Sequence, residues 1–254
     1  MHYFDSHAHL SSAELLPKID GVMNRAKKVG VVKILNICTD PQTLKEGLLL
    51  EKRFPEIKNA GATTPHDVET EGAEAFPIFA DAARSGQLVA VGETGLDYHY
   101  RELDREIQRR YLIRYLHLAL ECKLPVIFHC REAFADLFAI ADGEYPKGAP
   151  AILHCFTGTL KEAEAVLERG WYLSLSGIVT FKKSGDLREV AKMTPLSQLL
   201  IETDAPYLAP QSQRGNPNEP SFLPETAIAI ADASGISLGS VARETLGNGL
   251  SLFR

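Results

Sequence analysis

Short apolar runs alternate with amphipathic stretches along the whole chain. The runs are HYFDSH (2–7), VKILNIC (32–38), IKNAGAT (57–63), LVAVGET (88–94), PVIFHC (125–130), AILHCF (151–156), WYLSLSG (171–177) and QLLIETD (198–204). They are apolar on both faces rather than cleanly alternating, as strands of a parallel sheet covered by helices must be. The intervening segments, such as AELLPKIDGVMNRAKKVG and LDREIQRRYLIRYLHLALECK, carry helical spacing. Eight strand–helix units predict an α/β fold, a (β/α)8 TIM-type barrel. An open doubly wound sheet is the alternative, but no G-x-G-x-x-G follows the first strand. The length, 254 residues, matches the roughly 250 residues of such a barrel. With no linker or low-complexity segment, one barrel domain over 1–254 is expected. ETAIAIADASG and SLGSVARETLGNGLSLF read as two closing helices, preceded by the long polar loop APYLAPQSQRGNPNEPSF. Loops beyond about 12–15 residues are uncommon and often functional.

The chemistry lies where the apolar runs end. Asp5, His7 and His9 close the first run, Glu93 the fourth, His129 the fifth, His154 the sixth and Asp204 the eighth. Barrel enzymes draw catalytic residues from the C-terminal strand ends. A polar group that ends an apolar strand there needs a partner or a metal ion to offset its desolvation. His7 and His9 are two residues apart and share a face, so one metal can take both imidazoles. Glu93 has two oxygens and can bridge two ions about 3.5–4 Å apart. Asp204 is the candidate general base toward an activated water, and a possible ligand.

Around this set lie candidate substrate contacts. Arg131 either points into the mouth, where guanidinium pairs with phosphate, or pairs with Glu132 or Asp136. His66 either donates to a phosphate or is a surface histidine. Tyr207 is able to stack on a base, whereas Phe156 reads as packing. Arg214 and Glu219 either order the long loop or touch ligand. Asp97, Tyr98 and His99 fall in the mouth region. The spacing puts Cys130 and Cys155 on the opposite strand face from the histidines before them, as buried small hydrophobes.

Composition narrows the partners. The net charge of −6 argues against a purely electrostatic nucleic-acid binder, but bound metal ions would reverse the local sign for phosphates. Four scattered cysteines make no disulfide framework. The opening MHYFDSHAHL has no leader pattern, and no run is long enough to span a bilayer. The expectation is a cytoplasmic protein with no membrane association and no obligate protein partner.

The motifs DSHAHL (5–10), TTPHDV (63–68), VGETGLDYH (91–99), PVIFHCREA (125–133), ILHCFTGT (152–159), IETDAPYL (201–208) and NEP (218–220) recur in one order along nearly the whole chain. In this the sequence resembles the TatD family of metal-dependent deoxyribonucleases, of the amidohydrolase-type barrel superfamily. The resemblance implies two divalent ions per chain, one held by His7, His9, Glu93 and Asp204, the other by Glu93, His129 and His154. It implies 3′→5′ exonuclease cleavage of phosphodiesters in single-stranded DNA, or RNA, by a water that two metals activate. It names magnesium as the common activator, while the histidine-rich donor set also suits zinc or manganese. The sequence departs from the family pattern twice. Thr64 stands where the G-x-H-P-H motif has its first histidine, and Pro217 replaces the arginine usually found before N-E-P, with Arg214 three residues earlier. Hydrolysis of a C–N bond or small ester is the alternative activity. Many such enzymes bridge their metals with a carboxylated lysine on the fourth strand, where this chain has Glu93.

Overall fold

The computed structural model describes residues 1–100 and 102–254. Eight strands, β1 (Tyr3–Ala8), β2 (Val31–Cys38), β3 (Ile57–Gly61), β4 (Ala90–Asp97), β5 (Val126–Arg131), β6 (Ala151–Leu153), β7 (Tyr172–Leu175) and β8 (Leu199–Ile201), form one sheet in sequence order. Every neighbouring pair is parallel. Helices α1 (Ile19–Lys28), α2 (Pro41–Arg53), α3 (Gly72–Arg84), α4 (Arg105–Cys122), α5 (Phe134–Glu144), α6 (Leu160–Glu168) and α7 (Gly185–Met193) make the crossovers, and α8 (Leu223–Ser234) and α9 (Leu238–Leu252) are the two closing helices. This is the (β/α)8 barrel the apolar pattern predicts. Among the described residues no helix is long and apolar enough to cross a membrane.

Local chemistry sets the helix starts. Asp40 and Thr43 form a reciprocal capping box on α2, and Thr159 and Glu162 form another on α6, each satisfying backbone N–H groups that the first turn leaves without partners. Asp104 caps α4.

Two apolar layers result. The larger lies between strands and helices. The smaller joins Phe4, Leu35, Ile37, Ala60, Ala90, Ile127, Ile152 and Leu200, with Tyr172 packed beside them. Each strand supplies at least one of these residues, so this layer fills the barrel lumen. Phe253 plugs its lower end, stacked on Phe4 at 5.7 Å between ring centroids. The lumen is therefore a dry floor beneath the polar mouth.

The barrel closes at its mouth. The end of β1 meets the segment after β8 through a parallel bridge, Ala8 to Ala205. There the Asp204 N–H donates to the His7 carbonyl at 2.9 Å and the His9 N–H to the Ala205 carbonyl at 2.7 Å. Below, the Asp5 carboxylate accepts from Thr203 N–H at 2.9 Å and Thr203 Oγ1 at 2.6 Å.

Besides a shift between Tyr3 and Phe4 at the start of β1, two irregularities in pairing fall beside predicted ligands. Between the pairs Asp5–Ile34 and Ala8–Asn36, and between Val91–Val126 and Thr94–Phe128, one strand has an extra residue. Such bulges re-aim side chains; these two straddle His7 and Glu93. Strand ends also shift from their predicted places. β4 runs on to Asp97, whereas β6 stops at Leu153 and β8 at Ile201. Cys155 and Asp204 take left-handed backbone angles, φ 43° and 59°. Cys155 is therefore not on a strand facing away from the site. It turns back toward Ser176, with Sγ 3.3 Å from its Oγ.

Gly95 has φ +153°, and a Cβ there would fall 1.9 Å from the His129 carbonyl oxygen. Only glycine lets β4 lie this close to β5. Gly95→Ala should cost about 3 kcal/mol or more in a denaturant titration; a loss under about 1 kcal/mol would show that the two strands separate freely.

Candidate metal centre

The histidines at the ends of β1, β5 and β6 converge on Glu93. Its Oε1 lies 2.7 Å from His129 Nδ1 and 2.9 Å from His154 Nε2. Its Oε2 lies 3.3 Å from His7 Nε2 and 3.8 Å from His9 Nε2. Asp204 Oδ1 faces the same pair from the other side, 3.6 Å from His7 and 3.4 Å from His9. Among the described residues four groups could hold a cation, and two of them, His7–His9–Asp204 and Glu93–His129–His154, consist of the predicted ligands alone. All six residues line up at one end of the barrel, as the strand-end positions predict.

The nitrogen spacings fit metal ligation. His7 and His9 Nε2 are 3.3 Å apart, and His154 Nε2 is 3.4 Å from His129 Nδ1. Two lone pairs this close repel unless a proton or cation lies between them. Two nitrogens about 2.0–2.1 Å from one tetrahedral ion sit roughly 3.3 Å apart. Ring packing reinforces the arrangement: His7 and His154 stack at 3.9 Å and 9°.

Carboxylates and imidazoles shift one another at this centre. Burial pushes Glu93 up, but the His154, His129 and His7 imidazoles hold it well below the usual carboxylate range. Burial likewise raises Asp204, and His9 with His7 brings it down. Burial opposes charge on His154, His129 and His9, yet Glu93 and Glu202 raise the first, Asp97 and Glu93 the second, and Asp204 and Glu93 the third. Burial, then His154, lowers His7.

A family model described as TatD related DNase matches residues 4–254. The chain belongs to that family. It is a metal-dependent hydrolase of the TatD type. It is 36% identical over 257 residues to the 3′-5′ ssDNA/RNA exonuclease TatD of Erwinia tasmaniensis, covering 98% of this chain and 99% of the relative. It is 34% identical to an uncharacterized metal-dependent hydrolase, YabD, of Bacillus subtilis, covering 99% and 98%. The structure of YJJV, a TatD homolog from Escherichia coli K12, superposes with a TM-score of 0.93 at 26% identity, covering 99% of this chain and 97% of that one.

The TatD-type mouth is a cavity of about 720 Å³ whose lining includes His66, Arg131, Tyr207 and Thr64 beside the ligand set. Arg131 is exposed and lies 5.7 Å from the Tyr100 ring centroid. The two carboxylates its spacing offered are engaged elsewhere, Asp136 by Arg109 and Glu132 by His99. Tyr207 is 56% exposed and sets its ring edge-on to His9 at 5.6 Å. Arg214 is not part of this lining; its guanidinium lies over Phe181 at 4.7 Å. Glu219 faces away, paired with Arg25 at 2.6 Å, and orders the loop. Asn218 does so too, donating to the Thr203 and Tyr207 carbonyls at 2.7 and 2.6 Å. Phe156 packs against Phe134. Thr64 donates to Asp67 at 2.7 Å, and Pro217 is exposed on the loop.

Two carboxylates have roles that strand-end reasoning leaves unassigned. Asp97, buried, joins His129 Nε2 at 3.0 Å to His66 Nε2 at 2.8 Å, so His66 is tethered rather than free at the surface. Glu202, fully buried, accepts from the Cys155 N–H at 2.5 Å and lies 3.5 Å from His154 Nδ1. The signal for Glu202 is a carboxylate inside the apolar run 198–204; Asp97 lies beyond the run 88–94 and gives no such signal.

Because His9, His129 and His154 titrate above their ordinary value in the metal-free chain, cations must displace protons. Divalent-ion affinity should fall as pH drops from 8 to 6. Calorimetry at pH 7 in buffers of different ionisation enthalpy should show net proton release; uptake, or no exchange, would contradict this charge state.

Proposed function

We propose that this chain is a two-metal nuclease that removes nucleotides from the 3′ end of single-stranded DNA or RNA. The observation that carries the reading is Glu93, one carboxylate shared by imidazoles of two clusters, with Asp204 opposite. His7, His9, Glu93 and Asp204 would hold one ion, and Glu93, His129 and His154 the other. Magnesium, manganese or zinc bound there would supply Lewis acidity toward a phosphoryl oxygen and lower the pKa of a water, zinc to near neutrality.

The chain's own groups do the rest. Asp204, open to the cavity on one side and held as the anion by His9 and His7, accepts a proton from the attacking water. Arg131 sits at the cavity wall with no carboxylate partner among the described residues, suited to the non-bridging oxygens of the scissile phosphate. His66, oriented by Asp97, donates to the same group. Tyr207 offers an exposed ring to a terminal base. Arg214 reaches substrate only beyond the cavity, along the strand's path over the last loop. The apolar floor keeps bulk water from below, which strengthens these charge interactions. The 3′-5′ ssDNA/RNA exonuclease name of the Erwinia relative supports the substrate class.

Chelator-stripped protein should regain stepwise cleavage of 5′-labelled single-stranded DNA when magnesium, manganese or zinc is returned singly. Inactivity with every metal, in protein that demonstrably binds divalent ions, would overturn the nuclease reading. Glu93→Ala should abolish metal-dependent turnover while keeping the circular dichroism of the parent; retained activity would remove the shared-carboxylate mechanism. Asp204→Asn should lower kcat by roughly 10²–10⁴-fold with far less change in KM, as for loss of a general base. A KM effect alone would make Asp204 a binding group.

A further inference from the structure

Among the described residues four buried side-chain polar atoms have no hydrogen-bond partner: His7 Nδ1, His154 Nδ1, Glu202 Oε2 and Ser234 Oγ. Buried polar atoms are nearly always paired, so each orphan calls for an explanation. Three of the four belong to one cluster. A ring nitrogen of His7, one of His154 and a carboxylate oxygen of Glu202 all lie within 4.8 Å of one another, and all three residues are buried. His7 and His154 are stacked and parallel, and both turn Nε2 toward Glu93. Their Nδ1 atoms therefore fall on the opposite side, where Glu202 stands.

We propose that Glu202 is a positioning residue that accepts the Nδ1–H of His7 and of His154, fixing both rings with bare Nε2 atoms toward the cation sites. The inference rests on the metal-centre reading given above. A neutral imidazole that gives Nε2 to a cation carries its proton on Nδ1, and that proton needs an acceptor. Glu202 Oε1 is already bound to the Cys155 N–H, which anchors the carboxylate, while Oε2 is free to accept. A small ring tilt closes the 3.5 Å between His154 Nδ1 and Glu202 Oε1 to an ordinary charge-assisted bond of about 2.8 Å. The alternative, a third cation among these three residues, would require both rings to ligate through both nitrogens and so to lose their last protons.

The two rings belong to different ligand clusters. Glu202 thus sets the tautomer of one ligand of each proposed ion at once. Asp97 does the same for His129 alone, with the nitrogens exchanged: Nδ1 faces Glu93 and Nε2 faces Asp97.

Two measurements test this. In zinc-loaded wild-type protein labelled with ¹⁵N-histidine, long-range ¹H–¹⁵N spectra assigned by single His→Gln substitutions should show the His7 and His154 rings protonated at Nδ1 and ligated at Nε2, and the His129 ring with the reverse pattern. Calorimetric titration with zinc or manganese should show Glu202→Gln losing about 10–100-fold in both binding steps, with an unchanged metal-free unfolding midpoint. Wild-type affinity in folded Glu202→Gln, or a His7 or His154 ring not protonated at Nδ1, overturns the proposal. If the variant does not fold, the wild-type spectra decide alone. Wild-type protein that binds no divalent ion at all would refute the metal-centre reading, and the inference with it, in a visibly different way.

Discussion

Lone pairs and negative charges crowd together at the mouth of this barrel, and that crowding constrains the structure around them. Four imidazoles and two carboxylates lie within hydrogen-bond or ion-pair distance of one another, almost entirely out of water. Such a set is tolerable only with positive charge inside it, as protons or as metal ions. Much of the surrounding architecture supports that condition. The bulges in β1 and β4 turn His7 and Glu93 into the mouth. The left-handed turn at Asp204 swings its carboxylate opposite Glu93. Asp97 and Glu202 stand behind the histidines, where they secure orientation without reaching the reacting atoms.

The barrel divides into two zones of opposite character. Its lower lumen is filled by Leu35, Ile37, Ile127, Ile152 and Leu200 and plugged by Phe253, so water meets the centre only from the open face. Interiors packed in this way do not relax readily around a displaced group. Precision at the mouth therefore comes from the floor as much as from the ligands' own contacts. The long last loop adds a wall, held by Asn218 and by the Arg25–Glu219 pair, and it sets Tyr207 over the rim.

The barrel and the six central residues are legible in the sequence because both leave costly traces. Eight doubly apolar runs have few other arrangements open to them, and a histidine or carboxylate ending such a run demands a partner. What escapes is the outer ring of support. Asp97 is hidden because the pattern ends β4 at Thr94, while the strand carries on three residues further. Glu202 sits two places from Asp204, and both lie in one short motif with nothing in the one-dimensional pattern to separate their tasks. The tether from Asp97 to His66 joins residues 31 positions apart, and no periodicity reports a contact of that kind. Cys155 is misplaced by the pattern because β6 stops before it and the backbone turns left-handed.

The seam between the first and last strands has a consequence for how the molecule comes into being. His7 and His9 are made early, but the backbone bonds that seat them run to Asp204 and Ala205, nearly two hundred residues later in synthesis. Until β8 arrives, β1 lacks its second neighbour, and the proposed base is not yet part of the chain. Catalytic competence and closure of the ring are thus one event on the assembly path. A nascent or half-formed barrel, even with His7, His9, His129 and His154 all gathered around Glu93, would still lack the carboxylate that faces them from the last strand.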